Sequence, residues 1–370
     1  MIVSYSAFKE PILFRQGELW AFCQTGRIFR VPRPSRCRAR GKHAYHDIMH
    51  SMNIMKEWGK NVNILVTGGA GFIGSHLLEQ LNSDPSIHVV VYDNLSSGKR
   101  EHVPGGMELV EGDICDRDSL ERVFAAHRFD VVVHLAAQTL VPYSVAHPAE
   151  DCRINLEGLL HVLECCRKYG AGKVIFSSSA AVYGNSTRLP LDEGEPLSPM
   201  SPYGISKMAS EHYLRLYAAL YGIQAHILRF ANVYGERQGA GGEGGVVSIY
   251  CRQISRDLPV TVYGSGEQTR DFVYAGDVAR TIRACLTLEG SHVFNVSTDR
   301  ETTLNELIDV FGQAAGAAPD VIREAPRKGD ILHSVLDNTR LRVKLGYAPA
   351  TPLLEGVART YRWYKENLDE

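Results

Sequence analysis

Between the apolar run Asn63-Ile-Leu-Val-Thr67 and a helically spaced stretch from Phe72 to Leu81 lies Gly68-Gly-Ala-Gly-Phe-Ile-Gly74. Gly69, Gly71 and Gly74 satisfy G-x-G-x-x-G, and that spacing constrains the fold more than any other feature of the chain. A buried strand must end there in a tight turn, the backbone must be open to close approach, and a helix N-terminus must face the turn. Those are the demands of a pyrophosphate, whose charge is met by amide donors and by the positive end of a helix. Asp93 follows Gly74 by nineteen residues, after a second apolar run, His88-Val-Val-Val-Tyr92. A carboxylate at that place accepts hydrogen bonds from ribose hydroxyls and repels a 2′-phosphate, so the pattern predicts NAD rather than NADP. Lys99 and Arg100 nearby pull the other way.

The rest of the chain extends this beginning. Strand-like runs recur at Glu108-Leu-Val110, Asp130 to Leu135, Lys173 to Phe176 and His226 to Arg229, separated by helical stretches at Asp118–His127, Ala149–Tyr169 and Pro202–Tyr221. Apolar strands alternating with helices predict an α/β fold, a Rossmann-like doubly wound parallel sheet. With 370 residues, 44% of them hydrophobic, the chain is long enough for a second, smaller lobe. The expected division is 61–234 for the NAD-binding domain and 235–370 mainly for an interleaved substrate-binding lobe, with about 277–297 returning to the main sheet. Residues 1–60 differ, holding eleven Lys/Arg against four Asp/Glu and no sustained periodicity, and are expected to be a poorly ordered basic extension. An Arg-rich targeting peptide fits badly with Glu10, Glu18 and Trp20, and a nucleic-acid arm is the weaker reading of the basic run Arg27–Lys42. The net charge of −2 gives no general pull towards nucleic acid or membrane. No apolar run reaches the roughly 20 residues of a membrane helix. Eight scattered cysteines without a Cys-x-x-Cys pair predict reduced thiols, no metal site and a cytoplasmic protein.

The chemistry is carried by Tyr203-Gly-Ile-Ser-Lys207. Ser201-Pro202 has the character of an N-cap followed by the first helical residue, so Tyr203 and Lys207 share one helix face. A phenol is a poor base at neutral pH, and an ammonium on the same face is expected to favour its ionised form. Tyr-x-x-x-Lys by itself is an ordinary exposed helix face. Here Ser177-Ser178-Ser179 ends a strand 24 residues before Tyr203, in a chain that already carries a dinucleotide turn.

Together Gly68–Gly74, Tyr92-Asp-Asn-Leu95, Gly112-Asp-Ile114, His134-Leu-Ala-Ala137, Phe176 to Gly184, Tyr203-x-x-x-Lys207, Leu228 to Gly235, Arg270-Asp-Phe-Val-Tyr274 and Arg327-Lys-Gly-Asp330 resemble the extended short-chain dehydrogenases, and among them the UDP-glucose (UDP-galactose) 4-epimerases and related nucleotide-sugar epimerases. The resemblance spans residues 61–370 and implies catalytic Ser179, Tyr203 and Lys207. It implies cofactor contacts from Gly68, Gly71, Phe72, Ile73, Gly74, Asp93, Asn94, Leu95, Ser96, Ser97 and Gly98. Asp113 and Ile114 would flank the adenine, Leu135, Ala136, Ala137 and Thr139 would line the cofactor, and Lys207 and Tyr203 would reach its nicotinamide end. For the substrate it implies Ser179, Tyr203, Asn232, Val246, Tyr263, Arg270, Arg327, Asp330 and Ser334. A diphosphate independently asks for arginine, whose planar fork grips phosphate oxygens in pairs. Two departures stand out: Ala181 where the family commonly has a polar residue, and Ile154 in place of a polar cofactor contact.

The implied reaction is NAD-dependent 4-epimerisation of a nucleotide-activated hexose through a 4-keto sugar, with UDP-glucose and UDP-galactose as substrates and the N-acetylated sugars admitted if Ser334 lies beside the 2-substituent. Dehydratases of the same resemblance carry an Asp-Glu pair directly after the active-site hydroxyl, whereas Ser179 is followed by Ala180-Ala181. A 4-ketoreductase needs only the same three side chains and freely exchanging cofactor, so it stands as the alternative. A non-enzymatic dinucleotide-sensing scaffold is disfavoured by the intact Ser179, Tyr203 and Lys207. A homodimer through the two long helical stretches is the expected assembly.

Overall fold

The computed structural model describes residues 12–15, 18–22 and 28–30 and then 61–367, apart from 187, 240–243 and 327–330. The chain divides into two units, Met1–Lys56 and Glu57–Glu370. In the first, Ile12–Arg15, Glu18–Phe22 and Ile28–Arg30 pair in sequence order as a small antiparallel sheet. These three strands have three to five residues each.

The second unit is built on seven parallel strands: β1 (Val62–Thr67), β2 (Ile87–Asp93), β3 (Glu108–Glu111), β4 (Val131–His134), β5 (Lys173–Ser179), β6 (Gln224–Phe230) and β7 (His292–Val296). Their spatial order is β7-β6-β5-β4-β1-β2-β3. Winding runs outward in both directions from β1, and β1 and β4 are neighbours in register from Ile64 opposite Val131 to Thr67 opposite His134. The order reverses at that pair, which opens a crevice at their carboxyl ends.

Successive residues of each strand serve opposite faces of the sheet. Ile64, Val66, Val91 and Val133 pack with Leu77 and Leu78 of α1 (Phe72–Leu81) and with Val278 and Ile282 of a helix at Ala275–Cys285. Leu65, Val90, Val132 and Phe176 pack on the other face with Leu120 and Phe124, with Leu159 and Leu163 of a helix at Gly158–Tyr169, and with Leu214 of α2 (Pro202–Tyr221). Both faces are covered, so the strands are apolar throughout rather than alternating. A third apolar cluster, including Tyr250, Val260, Phe272, Leu307, Phe311 and Val357, gathers residues from the C-terminal third of the chain. Outside the seven-stranded sheet, the described strands after β6 form short two-stranded pairings, among them Asn232–Tyr234 with Phe272–Tyr274 and Thr269–Arg270 with Thr302–Thr303.

The stretch Ala149–Tyr169, expected as one helix, is two helices, Pro148–Cys152 and Gly158–Tyr169, joined through a π-helical turn at Arg153–Glu157. A π turn widens the helix by one residue and re-aims the side chains within it. Among the described residues no helix is long and apolar enough to cross a membrane.

Candidate active site

The glycine turn sits at the switch point. Gly68 has φ +70°, and a Cβ there would lie 2.5 Å from the Ala136 nitrogen; one on Gly74 would lie 2.4 Å from the Gly68 carbonyl oxygen. Only glycine lets the two strand ends and the α1 backbone meet so closely. Gly71 caps α1 without a side-chain hydrogen bond. The first amides of α1 therefore keep their donors for a ligand, and the turn fits a pyrophosphate.

Asp93 ends β2 and is 7% exposed. Its Oδ2 accepts from the Ala70 amide at 2.9 Å and its Oδ1 from the Leu95 amide at 2.9 Å. Burial raises its pKa, and these two amides pull back against that rise. Each oxygen retains a lone pair for a ribose hydroxyl. Leu95 has φ +56°, the left-handed conformation that lets the Asp93–Gly98 loop turn back on its own carboxylate. Lys99 and Arg100 lean towards Glu101 and Glu111, at 3.7 and 2.7 Å. These cations are met by carboxylates, which agrees with the reading of Asp93 as selecting NAD. Asp113 accepts from the Cys115 amide and from Asn94, at 2.8 and 3.2 Å; burial would raise its pKa, but these bonds hold it below the ordinary range. Ile114, beside it, is buried.

On the β4 side, Leu135, Ala136 and Ala137 are half-buried and Thr139 is exposed. The loop is pinned through Gln138 by two residues that sequence reasoning missed, Asn155 and Asp151. Asn155 Oδ1 accepts from the Gln138 amide at 2.9 Å, and its Nδ2 donates to the Gln138 carbonyl at 2.9 Å. Gln138 Nε2 donates to Asp151 at 2.8 Å. Asn155 reaches the loop because it lies in the π turn, for which the sequence carries no recognisable signal. Ile154, one residue earlier, packs against the apolar core of that face.

Ser179 ends β5, and its Oγ accepts from the Ala181 amide at 3.2 Å. Ser201 caps α2 by accepting from the Gly204 amide at 3.1 Å, with Pro202 as first helical residue. That start places Tyr203 and Lys207 on the face turned to β5. Lys207 is 2% exposed, donates to the Ser177 carbonyl at 2.9 Å and lies 4.8 Å from the Phe176 ring centre. Burial lowers its pKa to about 8, against an opposing pull from Asp151. His134, fully buried on Thr67 Oγ1 at 2.8 Å, is pushed down by burial to about 3 and stays neutral. Tyr203 corrects one expectation. Its pKa is raised, not lowered: burial dominates, a hydrogen bond with Ser179 offsets part of it, and the Asp151 charge adds to the rise. The Lys207 ammonium is turned to the Ser177 carbonyl, and its centre is 5.9 Å from the Tyr203 ring.

The sequence profile of the NAD dependent epimerase/dehydratase family matches residues 64–297. This chain belongs to that family. It is 42% identical over 305 residues to a putative UDP-glucose 4-epimerase of Methanocaldococcus jannaschii, covering 82% of this chain and 99% of the relative. The crystal structure of a Thermotoga maritima UDP-glucose 4-epimerase with UDP-glucose superposes with a TM-score of 0.80 at 42% identity, covering 83% and 100% of the two chains. A UDP-N-acetylglucosamine 4-epimerase from Methanobrevibacter ruminantium, solved with UDP-N-acetylmuramic acid, gives 0.78 at 35%, covering 82% and 98%. A dTDP-glucose 4,6-dehydratase of Actinoplanes is also similar, at 32% identity over 83% of this chain and 98% of its own. The protein is thus an NAD-dependent enzyme like the UDP-glucose 4-epimerases, and NAD is its cofactor.

The substrate-side residues are more dispersed. Asn232 is exposed at the start of its short strand; Tyr263 ends Val260–Tyr263 and Val246 opens the helix Val246–Ile254, both half-buried. Arg270 donates to the Thr269 carbonyl at 2.8 Å. Ser334, half-buried, lies in a segment tied on both sides: Leu332 accepts from the Thr269 amide and Val335 from the Leu191 amide, at 2.8 and 3.0 Å. Arg327 and Asp330 lie outside the described residues. Among the described residues no group of three His, Cys, Asp or Glu is arranged to hold a metal.

Proposed function

We propose that this protein interconverts UDP-glucose and UDP-galactose by inverting the sugar at C4. The observation that carries the reading is that Tyr203 lies within hydrogen-bond reach of Ser179, its ring centre 5.9 Å from the Lys207 ammonium, with Ala180 and Ala181 directly after the serine. Tyr203 takes the proton of the 4-hydroxyl and later returns it, while Ser179 holds that oxygen by a hydrogen bond. Lys207 supplies the nearby positive charge that the phenolate needs. When bound, the nicotinamide supplies the hydride acceptor and then the donor. The 4-keto sugar must turn its other face between the two steps, so the diphosphate end has to stay held by Arg270, Arg327, Asp330 and Asn232. Dehydration needs a further acid and base at C5–C6, and two alanines cannot transfer protons. The test is to incubate the purified protein, without added cofactor, with UDP-, dTDP- and GDP-hexoses and identify products by NMR. Net reduction of a keto sugar that depends on added NADPH would replace the epimerase with a ketoreductase.

We infer further that UDP-N-acetylhexosamines are accepted, because Ser334 is small where a bulky aromatic residue would fill the space of an acetamido group. Residues 61–234 are read as the NAD domain and the later lobe as the sugar-nucleotide domain. Residues 1–55 are read as dispensable, so a chain beginning at Met52 should turn over like the whole. A homodimer is supported by an exposed apolar stripe on α2, Ile205, Tyr213, Leu216 and Leu220, each more than a third accessible. Leu216→Asp with Leu220→Asp should give a monomer by light scattering; an unchanged mass would remove α2 from the interface.

A further inference from the structure

A buried carboxylate lies beside α2, the helix of Tyr203 and Lys207. Asp151 is completely buried. Its Oδ1 accepts from Gln138 Nε2 and from Asn155 Nδ2, at 2.8 and 3.1 Å. Its Oδ2 is equally buried and has no hydrogen-bond partner. A carboxylate with one bare oxygen is costly to bury unless a cation shares its enclosure. The helix that carries it, Pro148–Cys152, packs against α2, the helix of Tyr203 and Lys207. Asn155 completes the bridge, since the amide that binds Asp151 also lies 3.3 Å from Ser206 Oγ, beside Lys207 in sequence.

We propose that Asp151 is a positioning residue of the reaction, the buried counter-charge of Lys207 and the anchor that holds the Gln138 loop against α2. The inference rests on the reading of Tyr203 and Lys207 as the proton-transfer pair. Other ionisable groups around the enclosure are already engaged. His134 is neutral, Glu211 is held by two nitrogens of Arg229, and Glu150 accepts from Tyr143. His147 lies against the Tyr143 ring, and Arg153 of the π turn is exposed. Asp151 opposes the effect of burial on Lys207, and on Tyr203 it adds to burial against the pull of Ser179.

The sign of the effect is distinctive. A negative charge at this place favours the ammonium of Lys207 and disfavours the phenolate of Tyr203, so it raises both pKa values. Removing the charge lets both fall. In Asp151→Asn, which keeps the volume and an acceptor for Gln138, the acid and alkaline limbs of the kcat profile should both move to lower pH, by about one unit. A packing defect would instead lower the plateau and leave the limbs where they are.

Two measurements decide. The first compares pH–kcat profiles of wild type and Asp151→Asn, alongside ultraviolet titration of the Tyr203 phenolate against a Tyr203→Phe background. The expected result is a common downward shift; unmoved limbs, or limbs moving in opposite directions, would overturn the proposal. The second is a thermal-stability cycle that needs no turnover and survives if the single variant folds poorly. Lys207→Met strands the carboxylate and lowers Tm, and adding Asp151→Asn should restore part of the loss. No recovery in the double variant would overturn the pairing. Wild-type protein that epimerises no sugar would overturn the proposed reaction and leave this cycle readable.

Discussion

The two walls proposed for the crevice, one for NAD and one for the nucleotide sugar, are made differently. The cofactor wall is contiguous: each element is a strand end plus the turn that follows it, Thr67 to Gly74, Asp93 to Gly98, His134 to Thr139 and Ser177 to Ser179. Backbone amides already satisfy its acids, as Ala70 and Leu95 do for Asp93. The proposed substrate wall draws on single residues far apart in the chain: Asn232, Tyr263 and Arg270 on separate short strands, Val246 at the start of a helix, and Ser334 between elements. A large parallel sheet fixes the first wall, and two-stranded pairings with an apolar cluster fix the second. A cofactor that stays bound through many turnovers calls for preorganisation, whereas a sugar that must rotate calls for grip at its nucleotide end and room at its ring.

Tyr203 stands where the walls meet, and the largest effect is expected there. Tyr203→Phe should cut turnover by about 10²–10⁴-fold, the range for loss of a general base, with substrate affinity almost unchanged. Near-normal turnover across the neutral range would remove the tyrosine from the chemistry and leave the meeting of the walls without a function.

The cofactor wall can be broken next. In Gly74→Ala the new methyl would meet the Gly68 carbonyl oxygen at 2.4 Å, so the turn has to open. The expected outcome is protein that purifies without NAD(H), with stability reduced by about 1–3 kcal/mol, the usual cost of overpacking. Retained cofactor by absorbance of the purified protein would mean that the wall is less rigid than its contacts imply.

The contrast also explains what could be foreseen from sequence. Gly68–Gly74, Asp93, Ser179, Tyr203 and Lys207 could be proposed from sequence because each depends on a local turn or on spacing along one helix. The seven parallel strands followed from apolar runs separated by helices. Asp151, Gln138 and Asn155 were not legible, since their meeting depends on a π turn that interrupts an otherwise helical pattern. The raised pKa of Tyr203 escaped for a related reason: helix spacing brings Lys207 to the same face, but burial and the aim of the ammonium at Ser177 decide the balance. Arg270 could be proposed from chemistry, but no spacing rule connects it to Asn232 or Ser334.

The substrate wall gives a smaller and more selective response. Arg270→Gln keeps a polar side chain and removes the charge. Bonds to charged groups are worth about 1.5–3 kcal/mol, so KM should rise roughly tenfold or more while kcat changes little. A fall in kcat with unchanged KM would place Arg270 at the reacting carbon rather than at the diphosphate.

The smallest expected effect tests the room at the ring. Ser334 lies between two backbone hydrogen bonds, Thr269 to Leu332 and Leu191 to Val335, which fix the register of its segment two residues before it and one residue after it. A tyrosine placed there cannot avoid the pocket by sliding the segment without breaking one of those bonds. If Ser334 borders the 2-substituent, the ring of Ser334→Tyr takes the volume of an acetamido group, and packed sites tolerate such overlap poorly. Plain UDP-hexoses, with only a hydroxyl at that carbon, should keep kcat/KM within a few-fold of wild type. UDP-N-acetylhexosamines should lose about tenfold or more, equivalent to roughly 1.4 kcal/mol of overlap. The measurement is the ratio of kcat/KM for the two sugar types, which cancels any general loss of folded protein. An unchanged ratio would move Ser334 out of the pocket and leave the acceptance of N-acetylated sugars resting on other residues of the lobe.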